Sequence, residues 1–382
     1  MMSITALGNS SPPMLYTRSC RPYNAPVMKT LTCILAAALL VAACEENKKP
    51  EEKPGTPKGS ASGADSKGTK IDPAMLAVFA PLPGASTEAD KVSLGKLLFF
   101  ESRLSKAQDI SCNTCHALDK SGADGKKLSE GHKKQAQSRS TPTVFGAAAQ
   151  FKQFWDGHGK DVEEASTAHI TDPKIMAMPD EKAVVALLAS MPEYVAAFKK
   201  AFPTDTDITL ANTGKALGAF QRTLYFPTKW DKYLGGDKTA LSDDELKGLK
   251  TFLDTGCQTC HQGPDVGGSL MQKLGLVKPW PDQKDQGAFD VTKQEADKMM
   301  FKVSQLRQIE KTGPYLHDGS VDTLEKVIPM MADHQLGKVL ADDQVKSIIT
   351  FLKALTAEAP ADVVKAPVLP KSTAKTPKPD SK

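Results

Sequence analysis

Cysteine is scarce where a bridged scaffold would need it. Of the seven cysteines, Cys20, Cys33 and Cys44 lie near the start, and the other four form two identical pairs, Cys112 with Cys115 and Cys257 with Cys260. No cysteine is left for a disulfide in the part of the chain that folds, so a disulfide framework is excluded. Alternating strand patterns are scarce as well, which argues against a β architecture. The apolar run from Leu31 to Ala43 is too short to span a bilayer comfortably. A large excess of one charge is also missing: 49 basic against 45 acidic residues leave a formal +4. That is too little to imply nucleic acid, and many of the lysines fall in the two ends of the chain.

What is present is Cys112-Asn113-Thr114-Cys115-His116 and, far downstream, Cys257-Gln258-Thr259-Cys260-His261. Two thiols at this spacing can form thioethers to the two vinyl groups of one porphyrin, and the histidine that follows lies under the iron as its proximal ligand. A zinc site would need two more Cys or His ligands at short spacing, and a thioredoxin-like pair would not need a histidine after it twice. The chain reads as a redox protein carrying two covalently bound c-type haems.

Residues 1–43 read as a signal-peptide region with the true start at Met28, because Met28-Lys29 precedes the apolar run and small residues end it. Val41-Ala42-Ala43-Cys44 resembles a bacterial lipobox, which places a lipidated Cys44 at the mature N-terminus and the protein in the bacterial periplasm, anchored to membrane by lipid. An ordinary cleaved signal is the alternative, and export holds in both. From Glu45 to about Lys70 the composition is Lys, Glu, Pro, Gly and Ser, so residues 44–72 are expected to be the lipidated cysteine and a flexible linker. The stretch from Ala359 to Lys382 is rich in Ala, Pro, Lys and Thr and is expected to be a disordered tail.

Between the two ends the pattern is all-α. Ser242-Asp243-Asp244-Glu245 is a capping box opening a helix with Leu246, Leu249, Phe252 and Leu253 on one face, and Gly256 ends it just before the second motif. Val345, Ile348, Ile349, Leu352 and Leu355 keep the helical period, as do Leu94, Leu97 and Leu98 before the first motif. A helix feeding a haem motif thus occurs twice. Two cytochrome c-like haem domains in tandem are expected, residues 73–226 and 227–358, with the break near Phe226 to Trp230.

With these blocks in view, the chain resembles the bacterial di-haem cytochrome c peroxidases and their methylamine-utilisation relatives. The resemblance runs from about Asp90 to Leu355. It includes Gly131-His132, Thr141-Pro142-Thr143, Phe154-Trp155-Asp156-Gly157, Pro192-Glu193-Tyr194, Ala219 to Leu224, Leu306-Arg307, Pro314 to Gly319 and Gln335-Leu336-Gly337. It implies reduction of hydrogen peroxide to water at the N-terminal haem. The electrons would come from a small cytochrome c or cupredoxin entering at the C-terminal haem, and the protein would usually form a homodimer. His116 and His261 would be proximal ligands, Met331 the axial methionine of the C-terminal haem (Met330 beside it being the alternative), and His132 a displaceable ligand of the N-terminal haem. Trp155 matches the tryptophan between the haems. Ser140, Thr312 and Pro314 match the positions of a calcium site, with Ser140 replacing the usual asparagine.

One block departs from the family. Where the family has Asn-Pro-x-Glu-Met, this chain has Asp172-Pro173-Lys174-Ile175-Met176. Isoleucine cannot move a proton, so the acid-base group must be found elsewhere; Glu164 is the first candidate, with Glu163, His169 and Asp172 close in sequence. Three functions remain open on these residues: a peroxidase, a di-haem electron carrier on a peroxidase scaffold, and oxidation of a protein partner. The last is disfavoured by Met331, where that branch has tyrosine.

Overall fold

The structure, a computed structural model, describes residues 68–381. The start at Met28, the lipobox with Cys44 and nearly all of the linker lie outside the described residues.

Helices dominate. The first half holds α1 (Pro73–Leu76), α2 (Ala89–Phe99), α3 (Cys112–Cys115), α4 (Val162–Thr171), α5 (Glu181–Ala189), α6 (Pro192–Ala201) and α7 (Leu210–Gln221). The second holds α8 (Lys229–Leu234), α9 (Asp243–Thr255), α10 (Phe289–Thr292), α11 (Leu324–Leu336) and α12 (Asp342–Lys353), followed by α13 (Ala361–Val364). Two short strands, β1 (Met271–Lys273) and β2 (Met300–Lys302), pair antiparallel with Gln272 opposite Phe301. Local chemistry explains the helix starts. Asp161, Asp180 and Thr209 accept backbone N–H bonds at the first turns of α4, α5 and α7. The capping box of α9 forms both of its bonds, from Glu245 N to Ser242 Oγ (3.3 Å) and from Ser242 N to Glu245 Oε2 (2.8 Å). Gly256 closes that helix in the left-handed conformation.

Each half builds its own apolar cluster. In the first, Leu94, Leu98 and Phe99 of α2 meet Leu217 and Phe220 of α7, with Tyr194 and Phe198 of α6 beneath. In the second, Leu249, Phe252 and Leu253 of α9 meet Ile348, Phe351 and Leu352 of α12, with Trp230 buried among them. The two crossings share a device. Gly95 of α2 lies so close to α7 that a methyl there would overlap the carbonyl of Ala216, and Gly248 of α9 is pressed against the carbonyl of Ser347 on α12 in the same way. The helix before each Cys-x-x-Cys-His motif is thereby seated on the last long helix of its half.

The two ends of the described chain cross over. Ile71, Met75, Leu76 and Phe79 pack in the second cluster, with Phe79 edge-on to Trp230 at 5.0 Å. Residues 73–79, assigned from sequence to the N-terminal domain, therefore belong by packing to the other half. Phe226 packs on the first cluster and Trp230 lies in the second.

The tail expected to be disordered is instead laid over the first half. Ala359, Val363 and Val364 pack on the first cluster. Arg103 donates to the Pro370 carbonyl and to Ser372 Oγ, both at 2.8 Å, and Gln108 Nε2 donates to the Pro377 carbonyl at 2.8 Å. Thr373 Oγ1 donates to the Ser190 carbonyl at 2.8 Å, and the Asp380 amide to the Lys106 carbonyl at 2.9 Å. The composition rule failed here because partners elsewhere in the fold satisfy this polar backbone, and a few apolar side chains suffice to dock it.

Candidate functional site

Both Cys-x-x-Cys-His motifs form tight turns, the second directly at the end of α9. At the first, the Ser111 amide donates to Thr114 Oγ1 (2.9 Å) and the His116 amide to the Cys112 carbonyl (2.8 Å), closing one helical turn. His116 Nδ1 lies 3.1 Å from the Pro142 carbonyl. A carbonyl only accepts, so Nδ1 carries the proton and Nε2 is the bare nitrogen. At the second, α9 delivers the chain through Gly256 into the turn Cys257–Thr259, and His261 Nδ1 lies 3.2 Å from the Ser304 carbonyl. Burial pushes His116 below the usual imidazole range and His261 down to about 4, which keeps both rings neutral. Burial likewise pushes the Cys112 and Cys257 thiols up to about 12. All four motif cysteines are free of disulfides. Paired thiols with a neutral imidazole whose Nδ1 is fixed on a carbonyl are a donor set that fits haem, and the chain contains it twice.

Across from His116 lies a second imidazole. The rings of His116 and His169 have centroids 6.4 Å apart and planes within 24°. His169 stands in the last turn of α4, and its ring is braced by the edge of Phe154 at 5.2 Å. Phe154 in turn stacks on His158 at 4.0 Å, and His158 Nδ1 is 2.5 Å from Asp156 Oδ1. Burial first, and His116 second, push His169 down to about 4.

His132 is buried in its own loop, with Nδ1 lacking a hydrogen-bond partner. Its amide donates to the carbonyls of Lys174 (3.1 Å) and Ile175 (2.9 Å), and Gln137 Nε2 donates to the Lys174 carbonyl at 3.0 Å. The His132 loop is therefore fastened to the segment carrying Ile175. A methyl at Gly131 would overlap the Lys174 carbonyl, so only glycine admits this approach.

The two halves meet over a charged and aromatic junction that sequence patterns missed. Arg139 binds Asp156 through Nη1 (2.6 Å) and Asp285 through Nε (2.6 Å), and its guanidinium lies 5.8 Å from the Phe301 ring centre. Burial alone would raise Asp156, but hydrogen bonds from His158 and Arg139 hold it down to about 2. Trp155 Nε1 donates to the Ser140 carbonyl at 2.8 Å, and its ring lies 6.4 Å from that of His317. His317 stacks on Phe301 at 4.3 Å, and its carbonyl accepts the Ser140 amide at 2.6 Å. Arg139 adjoins the marked Ser140, yet no spacing in the sequence points to Asp285.

Comparison with known proteins decides the family. The sequence profile of the family described as di-haem cytochrome c peroxidase matches residues 89–239. The cytochrome c551 peroxidase of Nitrosomonas europaea is 44% identical over 301 residues, covering 78% of this chain and 89% of that protein. This chain belongs to the di-haem cytochrome c peroxidase family. The cytochrome c551 peroxidase of Pseudomonas aeruginosa is 41% identical over 317 residues, covering 79% of this chain and 90% of that protein. The methylamine utilization protein MauG of Methylorubrum extorquens is 30% identical over 293 residues, covering 74% of this chain and 82% of that protein. Among solved structures, a MauG-like protein associated with microbial copper homeostasis superposes with a TM-score of 0.62 at 25% identity, over 75% of this chain and 93% of that one.

Within this di-haem peroxidase family chain the remaining marked residues fall as follows. Met330 and Met331 on α11 both pack between the second cluster and the small cluster around Trp280 and Phe301, which Trp155 also touches. Ser140 is hydrogen-bonded to the loop that carries Thr312 and Pro314. The candidate proton-transfer carboxylates are otherwise engaged. Glu164 is exposed at the first turn of α4, and its Oε2 accepts the Lys160 amide at 2.8 Å. It lies at the opposite end of α4 from His169 and serves as a helix-start cap. Glu163 is paired with Arg222, and Asp172 Oδ1 accepts the Lys174 amide at 2.7 Å.

Proposed function

We propose that the protein is a peroxidase that reduces hydrogen peroxide to water, taking electrons from a small cytochrome c or cupredoxin at the C-terminal haem. The observation that carries this is the duplicated turn of two cysteines and a neutral imidazole with its Nδ1 fixed, in a chain 44% identical to a cytochrome c551 peroxidase. Haem, bound through Cys112 and Cys115 and through Cys257 and Cys260, supplies the redox chemistry. The protein side chains supply the rest. His116 and His261 present Nε2 as proximal donors, and Met331 completes the C-terminal site with a thioether that favours holding an electron. Trp155, pinned by Ser140, offers a π-system where the halves meet, between the donor-facing side and the peroxide side.

Export as a lipoprotein through Cys44 to the periplasm belongs to the same proposal, supported by the lipobox-like run. So does calcium at Ser140, Thr312 and Pro314, supported by the bond that joins Ser140 to their loop. A homodimer is proposed from the family resemblance.

A specific observation favours a second function, a non-enzymatic electron carrier. Ile175 stands where the family glutamate moves protons, and Glu163, Glu164 and Asp172 are held by other partners. The deciding experiment mixes half-reduced protein with stoichiometric hydrogen peroxide and follows peroxide loss, with Ile175→Glu beside it. The peroxidase assignment expects fast loss in the parent, rising by up to about 100- to 10,000-fold in Ile175→Glu. No loss in the parent, with fast loss in the variant, establishes the carrier.

A further inference from the structure

We infer that Arg139 is a positioning residue for electron passage between the two sites, holding Trp155 between the segments that fix His116 and His261; this rests on the two haem sites of the proposed peroxidase. Trp155 is hydrogen-bonded on both sides. Its indole Nε1 donates to the Ser140 carbonyl at 2.8 Å, and two residues further on the Pro142 carbonyl holds His116 Nδ1 at 3.1 Å. Its own carbonyl accepts the Lys302 amide at 2.7 Å, and two residues further on the Ser304 carbonyl holds His261 Nδ1 at 3.2 Å. The Trp155 ring also packs on the small cluster that Met330 and Met331 touch. One residue thus joins the two segments that orient the proximal imidazoles.

Arg139 locks this arrangement through its sequence neighbours. The pairs Arg139-Ser140 and Trp155-Asp156 clasp each other twice, since Arg139 Nη1 donates to Asp156 Oδ2 at 2.6 Å while Trp155 Nε1 donates to Ser140. The same guanidinium forks onto Asp285 of the second half, through Nε at 2.6 Å and Nη2 at 2.8 Å. It also lies 5.8 Å from the ring centre of Phe301, the neighbour of Lys302. A planar fork with five donors serves two carboxylates at once, a geometry that lysine lacks. The other oxygen of Asp156 is taken by His158 at 2.5 Å, so this buried carboxylate has a fixed orientation. Without the fork, Asp156 and Asp285 face each other without their shared cation, and repulsion pushes apart the loops that carry Trp155 and Asp285. The indole is then no longer fixed between the two segments.

The test uses the holoprotein and two readouts. Fluorine spectra are taken with 5-fluorotryptophan at the three tryptophans, the Trp155 resonance being the one absent from Trp155→Phe. Separately, half-reduced protein is mixed with saturating hydrogen peroxide and reoxidation of the C-terminal haem is timed. Arg139→Gln is expected to shift or broaden the Trp155 resonance while that of Trp230, buried in the second cluster, stays in place. It is also expected to slow reoxidation by about tenfold or more, as a small misplacement at a reacting centre does. In a Trp155→Phe background, itself slow, Arg139→Gln is expected to add nothing, because its action runs through the indole. Equal slowing in both backgrounds would show that Arg139 only holds the halves together, and it overturns the inference, as does an unmoved resonance or an unchanged rate. Should Arg139→Gln fail to fold, Asp285→Ala, which keeps the bond to Asp156, enters the same cycle with the same expectations. A parent in which no electron leaves the C-terminal haem removes the electron-path reading, and the fluorine spectra then still decide whether Arg139 places Trp155.

Discussion

At the scale of single residues, the least accommodated group is Asp265. It is fully buried, neither carboxylate oxygen has a hydrogen-bond partner, and the nearest guanidinium nitrogen, Arg307 Nε, is 3.9 Å away. Arg307 is already committed to Asp231 at 2.6 and 2.9 Å. Burial raises Asp265 to about 7 from its ordinary 3.8, against smaller opposing pulls from Arg307 and Lys302. In this window the folded state holds a proton that the unfolded state has lost. Stability therefore falls as pH rises from about 4 to about 7 and stays low above it, a change of roughly 2–3 kcal/mol between pH 5 and pH 8. Asp265→Asn is expected to flatten that dependence and to raise the melting temperature at pH 8 more than at pH 5. Equal gains at both pH values would show that the carboxylate is charged throughout. Residue identity also bears on the proposed peroxide side: Ile175 stands where the resemblance places a proton-transfer glutamate, and Glu163, Glu164 and Asp172 each bond another partner.

At the scale of elements, the two close crossings dominate. Gly95 between α2 and α7 and Gly248 between α9 and α12 admit backbone approach that any Cβ would block. Gly95→Ala and Gly248→Ala are each expected to lower the urea midpoint by an amount equivalent to about 1–3 kcal/mol through overpacking. A loss in only one variant would mean that one crossing can slide to make room. The start of α9 was legible because a capping box and a terminal glycine are local signals, satisfied within one turn. The pairing of α9 with α12 was not, because helical period identifies the buried face and not its partner. The same limit hid the Arg139 to Asp285 link and the facing of His169 and His116, which join residues far apart in the chain.

At the scale of the whole molecule, the ends of the described chain act as crossed straps. Residues 71–79 dock on the second cluster and residues 359–380 on the first, so each half is closed by chain that leaves or enters the other. Deleting residues 359–382 is expected to speed amide exchange in α2 and α5 while leaving α9 and α12 protected. Phe79→Ala should do the reverse, at a cost of about 3–5 kcal/mol for a buried aromatic. If both changes loosen both halves equally, the two clusters unfold as one cooperative unit.

By itself the sequence determined the number and place of the Cys-x-x-Cys-His turns, the helical character of the chain and several helix ends. These depend on contacts within a few residues, where spacing is geometry. Only the tertiary structure decided which imidazole faces His116, which carboxylates are free, and that the polar tail is ordered. Those outcomes depend on hydrogen bonds and packing between distant segments, where neither composition nor period carries the partner's address.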